Sequence, residues 1–126
     1  PSQPGRPRTI LIVEDQLAVA RVVEQLLERD GHRVIHASSP EQALEVVAAH
    51  APEIDLLLCD VVMPQMRGPA LIAELKRRGF ETRVLFMSGY TDDAVEAIQH
   101  PLLHKPFTPD ELRDALSEAL RLNPRS

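Results

Sequence analysis

The side chains able to do chemistry fall at the ends of apolar runs. TILIVE (9 to 14) closes on Glu14, with Asp15 next; IDLLLCD (54 to 60) closes on Asp60, with Pro64 four residues on; RVLFMS (83 to 88) closes on Ser88; LLHK (102 to 105) closes on Lys105. An ionised carboxylate at the edge of an apolar core costs free energy unless something pairs with it. Glu14, Asp15 and Asp60 together carry a formal charge of about -3, against +1 from Lys105, so they must share protons or bind a cation. A site of oxygen ligands with room for water suits Mg²⁺, whereas zinc is disfavoured because no His/Cys ligand spacing is present. A carboxylate beside a divalent ion can attack a phosphoryl group to form an acyl phosphate. Lys105 and the Ser88 hydroxyl could then contact the phosphoryl oxygens as charge moves onto them.

These residues need elements to gather them. Short, continuous apolar runs read as strands buried on both faces, with a weaker one at RVIHA (33 to 37). Between them Val19, Val22, Val23, Leu26 and Leu27 recur at helical spacing and Gly31 supplies a stop. Ser39-Pro40-Glu41-Gln42 and Thr108-Pro109-Asp110-Glu111 are capping boxes opening two further helices. Leu71, Ile72 and Leu75 mark a helix ending near Gly79, and Thr91 caps a short one that His100-Pro101 terminates. The expected order is βα five times, a parallel sheet covered by helices on both faces. All carboxyl ends of such a sheet lie on one edge, where open α/β sheets bind ligands.

Composition removes several function classes. The 126 residues make one domain by length, and the net charge of -5 without a basic block argues against nucleic-acid binding. No apolar run approaches the 18 or so residues of a membrane span, so no membrane contact is expected. The single cysteine, Cys59, reads as an inert buried side chain in a reducing cytoplasm. The five histidines are scattered, and no ligand or phosphoryl-carrier role is assigned to them. Residues 1–7, rich in proline, read as a linker, 8–122 as the domain and 123–126 as a tail.

Glu14-Asp15, Asp60 with Pro64, Ser88-Gly89 and Lys105-Pro106-Phe107, taken in order, resemble the response-regulator receiver domain of two-component signalling over about residues 8 to 121. The resemblance implies a flavodoxin-like sheet of order 2-1-3-4-5, whose switch point lies between the first and third strands. It implies that Asp60 is the phosphoacceptor, taking its phosphoryl group from a phosphohistidine on a histidine kinase or histidine phosphotransfer domain. Asp15, Asp60 and the backbone carbonyl of Val62 would hold Mg²⁺, with Glu14 acting through water. Lys105 would pair with Asp60 and then with the phosphoryl group, and Ser88 would be the hydroxyl that starts the switch. The Lys105-Pro106 peptide would be cis.

Two departures from the family pattern stand out. The first acid is Glu14 where aspartate is commoner, and the position of the switch aromatic holds Leu102. Tyr90 is the nearest aromatic that could replace it. The rival readings are a Mg²⁺-dependent phosphohydrolase working through an aspartyl phosphate, and a phosphorylation-independent interaction module. The first wants an acid two residues after the nucleophile, where Val62 stands. For context, the expectation is a receiver at the C-terminal end of a hybrid histidine kinase, ahead of the N-terminal receiver of a regulator and a stand-alone receiver. The first helix is the expected donor surface. The face built from the Thr91 helix, the strand at 102 to 105 and the last helix is the expected output or homodimer surface.

Overall fold

The computed structural model of the chain describes residues 7–89 and 100–121. Strands β1 (Thr9–Val13), β2 (Arg33–Ala37), β3 (Leu56–Asp60), β4 (Arg83–Ser88) and β5 (Leu102–His104) form one sheet in the order β2-β1-β3-β4-β5, every neighbouring pair parallel. Helices α1 (Leu17–Arg29), α2 (Pro40–His50), α3 (Gly68–Arg77) and α4 (Pro109–Arg121) connect and cover it. The topology is the flavodoxin-like one expected. The short helix expected from Thr91, and Tyr90 with it, lie outside the described residues.

Strand alternation sorts the core into two layers. Leu11, Val13, Leu57, Cys59, Val84 and Phe86 face α2 and α3, packing on Ala43, Val47, Leu71 and Leu75. Ile10, Ile12, Leu56, Leu58, Leu85, Met87 and Leu103 face α1 and α4, packing on Val23, Leu27, Leu112 and Leu116. Successive strand residues point to opposite faces, so a run apolar at every position fills both layers. Burying each large side chain is worth about 1.5–3 kcal/mol.

The local signals behave individually. Thr108 and Glu111 form a reciprocal box: Glu111 N–H donates to Thr108 Oγ1 and Thr108 N–H donates to Glu111 Oε1. At α2 only half the expected box forms. Gln42 N–H donates to Ser39 Oγ, while Gln42 Oε1 accepts from the N–H and hydroxyl of Ser38 instead. Gly31 and Gly79 stop α1 and α3 with φ of +92° and +88°, conformations L side chains disfavour. A 3₁₀ turn at Ala51–Glu53 follows α2 and delays β3, which starts at Leu56 and not at residue 54.

Candidate functional site

The register explains how three separate runs deliver charge to one place. Ile12 pairs with Leu58 and Val13 with Cys59, so Glu14 and Asp60 follow as neighbours at the carboxyl edge. The alternation that points Ile10 and Ile12 toward α1 and α4 points Glu14 the same way. It does so for Leu56, Leu58 and Asp60, and for Leu103 and Lys105. Glu14 and Lys105 lie one residue beyond β1 and β5, at the carboxyl edge that borders the crevice.

Lys105 Nζ donates to Glu14 Oε1 at 3.1 Å and to Asp60 Oδ2 at 3.2 Å. Glu14 is fully buried and Asp60 6% exposed. The carboxylate oxygens of Glu14, Asp15 and Asp60 come within 4.8 Å of one another, with Asp15 the most open of the three. Burial is the main force on Glu14. It pushes the carboxyl up to about 7, aided by the Asp60 charge, while the Gln16 N–H and Lys105 work in the opposite direction. Burial alone would lower the Lys105 amine, but the Asp60 and Glu14 carboxylates outweigh it and hold the amine above its ordinary value.

The backbone under these side chains is pinned. Glu14 N–H donates to the Ala37 carbonyl at 3.1 Å, and His36 Nε2 lies 2.9 Å from the Glu14 carbonyl oxygen, so β2 grips the first acid from its far side. Glu14 Oε2 accepts from Gln16 N–H at 3.1 Å. Beyond Asp60, Val61 N–H donates to the Met87 carbonyl, and Gly68 N–H donates to Val61 at 2.7 Å. That brings α3 so close that a Cβ on Gly68 would sit 2.5 Å from the Asp60 carbonyl oxygen and 2.8 Å from Phe86 Cε1.

Ser88 ends β4 on the opposite layer. It is fully buried, and its Oγ lies 3.2 Å from His104 Nδ1. Its carbonyl accepts from Lys105 N–H at 2.7 Å, and the Lys105-Pro106 peptide is cis, as the resemblance implied. Val62 lies in the loop after Asp60 and is 41% exposed. Leu102 pairs with Phe86 and packs on the α2/α3 layer.

The fold, the edge and the buried acid pair bridged by a lysine are those of one family, and its description as a response regulator receiver domain matches residues 10–117. The chain belongs to the response-regulator receiver family. This receiver is 35% identical over 117 residues to the sensor kinase CckA of Brucella abortus, covering 89% of this chain but 12% of that protein. It is 32% identical over 118 residues to the sporulation initiation phosphotransferase F of Bacillus subtilis, with 90% and 94% covered. A solved receiver domain from the hybrid histidine kinase CckA superposes with a TM-score of 0.76 at 31% identity, covering 89% of this chain and 98% of that one. Receivers are signalling modules of two-component systems, meeting histidine kinases or phosphotransfer proteins. Among the described residues of this one, no helix is long and apolar enough to cross a membrane.

Of the residues singled out from sequence, the receiver's structure joins Glu14, Asp15, Asp60 and Lys105. It seats Ser88 against a histidine and leaves Leu102 half-buried against the α2/α3 layer. Three contacts were not foreseen: Lys105 with Glu14, His36 with the Glu14 carbonyl, and His104 with Ser88. The last was visible only in part, because Ser88 ends one run and His104 lies one residue before the end of the next, and the pairing of the two follows from the register of β4 with β5.

Proposed function

We propose that Asp60 accepts a phosphoryl group from a phosphohistidine on a histidine kinase or histidine phosphotransfer domain. A carboxylate oxygen of Asp60 forms the new bond to phosphorus as the phosphorus–nitrogen bond breaks, and the imidazole leaves as the neutral base once protonated. The observation that carries this reading is the Lys105 ammonium set between Asp60 and Glu14 at hydrogen-bond distance. It pairs directly with the nucleophile, and it can turn one of its N–H donors to a phosphoryl oxygen once that group arrives. Ser88 is the hydroxyl that turns to meet the same group.

The donor set suits a hard cation: three carboxylates, all oxygen, with a single lysine offsetting part of their charge. Glu14, Asp15, Asp60 and the Val62 carbonyl would hold Mg²⁺. When bound, the ion neutralises charge on the phosphoryl oxygens. The buried Glu14 carboxyl supports a closer role than one through water alone.

The phosphohydrolase reading lacks a proton donor for a leaving group, since Val62 stands where an acid is needed. An interaction module without phosphorylation gives no reason for burying an acid pair against lysine. Leu17 and Val22 are 54% and 55% exposed on α1 beside the crevice, which supports that helix as the donor-docking surface. A homodimer would form on the face that includes β5 and α4. We place the domain at 8–122 in the cytoplasm, as a receiver within a hybrid kinase. The switch would run without an aromatic at Leu102, with Tyr90 as the candidate replacement.

The test is acyl-phosphate formation from acetyl phosphate, mapped by mass spectrometry. Labelling should require Mg²⁺, stay stoichiometric, decay slowly and vanish in Asp60→Asn. Labelling that survives this substitution, or catalytic turnover of a phosphomonoester, overturns the assignment.

A further inference from the structure

His104 lies immediately before Lys105, yet its ring faces away from the lysine's partners. Nδ1 is 3.2 Å from the hydroxyl of Ser88, which is itself fully buried. The pairing is built into the sheet. Ser88 and His104 are register partners at the ends of β4 and β5, so their side chains leave the same face side by side. Glu14, Asp60 and Lys105 leave the other face. The hydroxyl is thus held on the layer that Phe86 and Leu102 occupy, by a ring that is otherwise exposed.

We infer that His104 is a positioning residue for the switch: it retains the Ser88 hydroxyl in the resting arrangement and sets how readily that hydroxyl leaves for the phosphorylated one. The inference rests on the reading of Ser88 as the mobile hydroxyl. The bond works in either tautomer, since Ser88 can donate to a bare Nδ1 or accept from a protonated one. A contact made only in the resting state biases the equilibrium toward that state, and a ligand of the other state must overcome the bias. A buried hydroxyl deprived of its partner pays for its desolvation unless it moves to another one. Removing the ring therefore drives Ser88 toward the phosphoryl group.

The experiment measures the affinity of the Mg²⁺-loaded protein for beryllium fluoride, a phosphoryl mimic that binds carboxylates. His104→Ala should tighten binding by about three- to tenfold, the range one net hydrogen bond allows. His104→Asn should return it toward wild type, because its amide places a polar atom where Nδ1 stood, and His104→Gln should not. In a Ser88→Ala background the effect of His104→Ala should disappear. A second readout needs neither metal nor mimic. The imidazole ¹⁵N shifts of His104 in metal-free protein should change in Ser88→Ala. Unchanged affinity in His104→Ala, equal effects with and without Ser88, or ¹⁵N shifts indifferent to Ser88 each overturn the inference while Asp60 still labels. Wild-type protein that neither labels nor binds the mimic overturns the phosphoacceptor reading first and this one with it.

Discussion

Lys105 Nζ lies 3.1 Å from Glu14 Oε1, a part-buried pair formed across 91 residues of sequence and shared with Asp60. One cation serves two carboxylates, so its removal leaves both acids without compensation. In metal-free buffer Lys105→Ala should lose about 2–3 kcal/mol of stability in urea unfolding, below the range for a wholly buried pair because the lysine is 24% exposed. Excess Mg²⁺ should recover much of that loss. The same deficit with and without the ion would mean that the carboxylates do not form a cation site.

Glu14 makes stability depend on pH. Its carboxyl is raised from 4.5 to about 7, so folding favours the neutral form. That contribution is complete below about pH 4.5 and is lost as pH rises through 7. A displacement of this size is worth on the order of 3 kcal/mol. Glu14→Gln stays neutral throughout, so its stability relative to wild type should improve between pH 4.5 and pH 8 in chelator-treated protein. Urea midpoints at the two ends of that range check this, and a constant difference would contradict it.

Gly68 is required for room and not for its backbone angles. Alanine there would drive a Cβ into the Asp60 carbonyl oxygen and the Phe86 ring, neither of which is the end of a flexible chain. Gly68→Ala should cost about 2–3 kcal/mol and reduce acetyl phosphate labelling, because Asp60 must shift. Gly31→Ala meets no atom within 4 Å but takes on a φ of +92°, so it should cost about 1–2 kcal/mol with labelling intact. Thermal melts paired with labelling separate the two cases.

Cys59 adjoins Asp60 but is sealed in the α2/α3 layer, and burial raises its thiol well above the ordinary value. Its modification by a thiol reagent should be negligible in the native protein and should track global unfolding as urea is added. Rapid labelling of the folded state would mean that β3 opens locally.

The strands and the chemical ends of each were legible in the sequence because both depend on short-range pattern. The apolar runs closing on Glu14, Asp60, Ser88 and Lys105 gave the edge. Strand order did not follow from pattern and came from the family likeness. What pattern hid was pairing between elements. Nothing local in the sequence shows that burial and alternation aim Glu14 at Lys105. Gln42 was expected to close its box on Ser39, and the nearer Ser38 won. His104 was one of five scattered histidines without an assigned role, and the alignment of β4 with β5 places it on Ser88. The aromatic replacement expected at Tyr90 lies outside the described residues.

The strand at one border of the sheet is brief. Only Leu102 to His104 belong to it, and Pro101 and Pro106 on either side have no amide hydrogen to offer. A second chain seeking to extend the sheet there would find too short a template to hold it. Fibre-like stacking along that border is discouraged by the backbone itself.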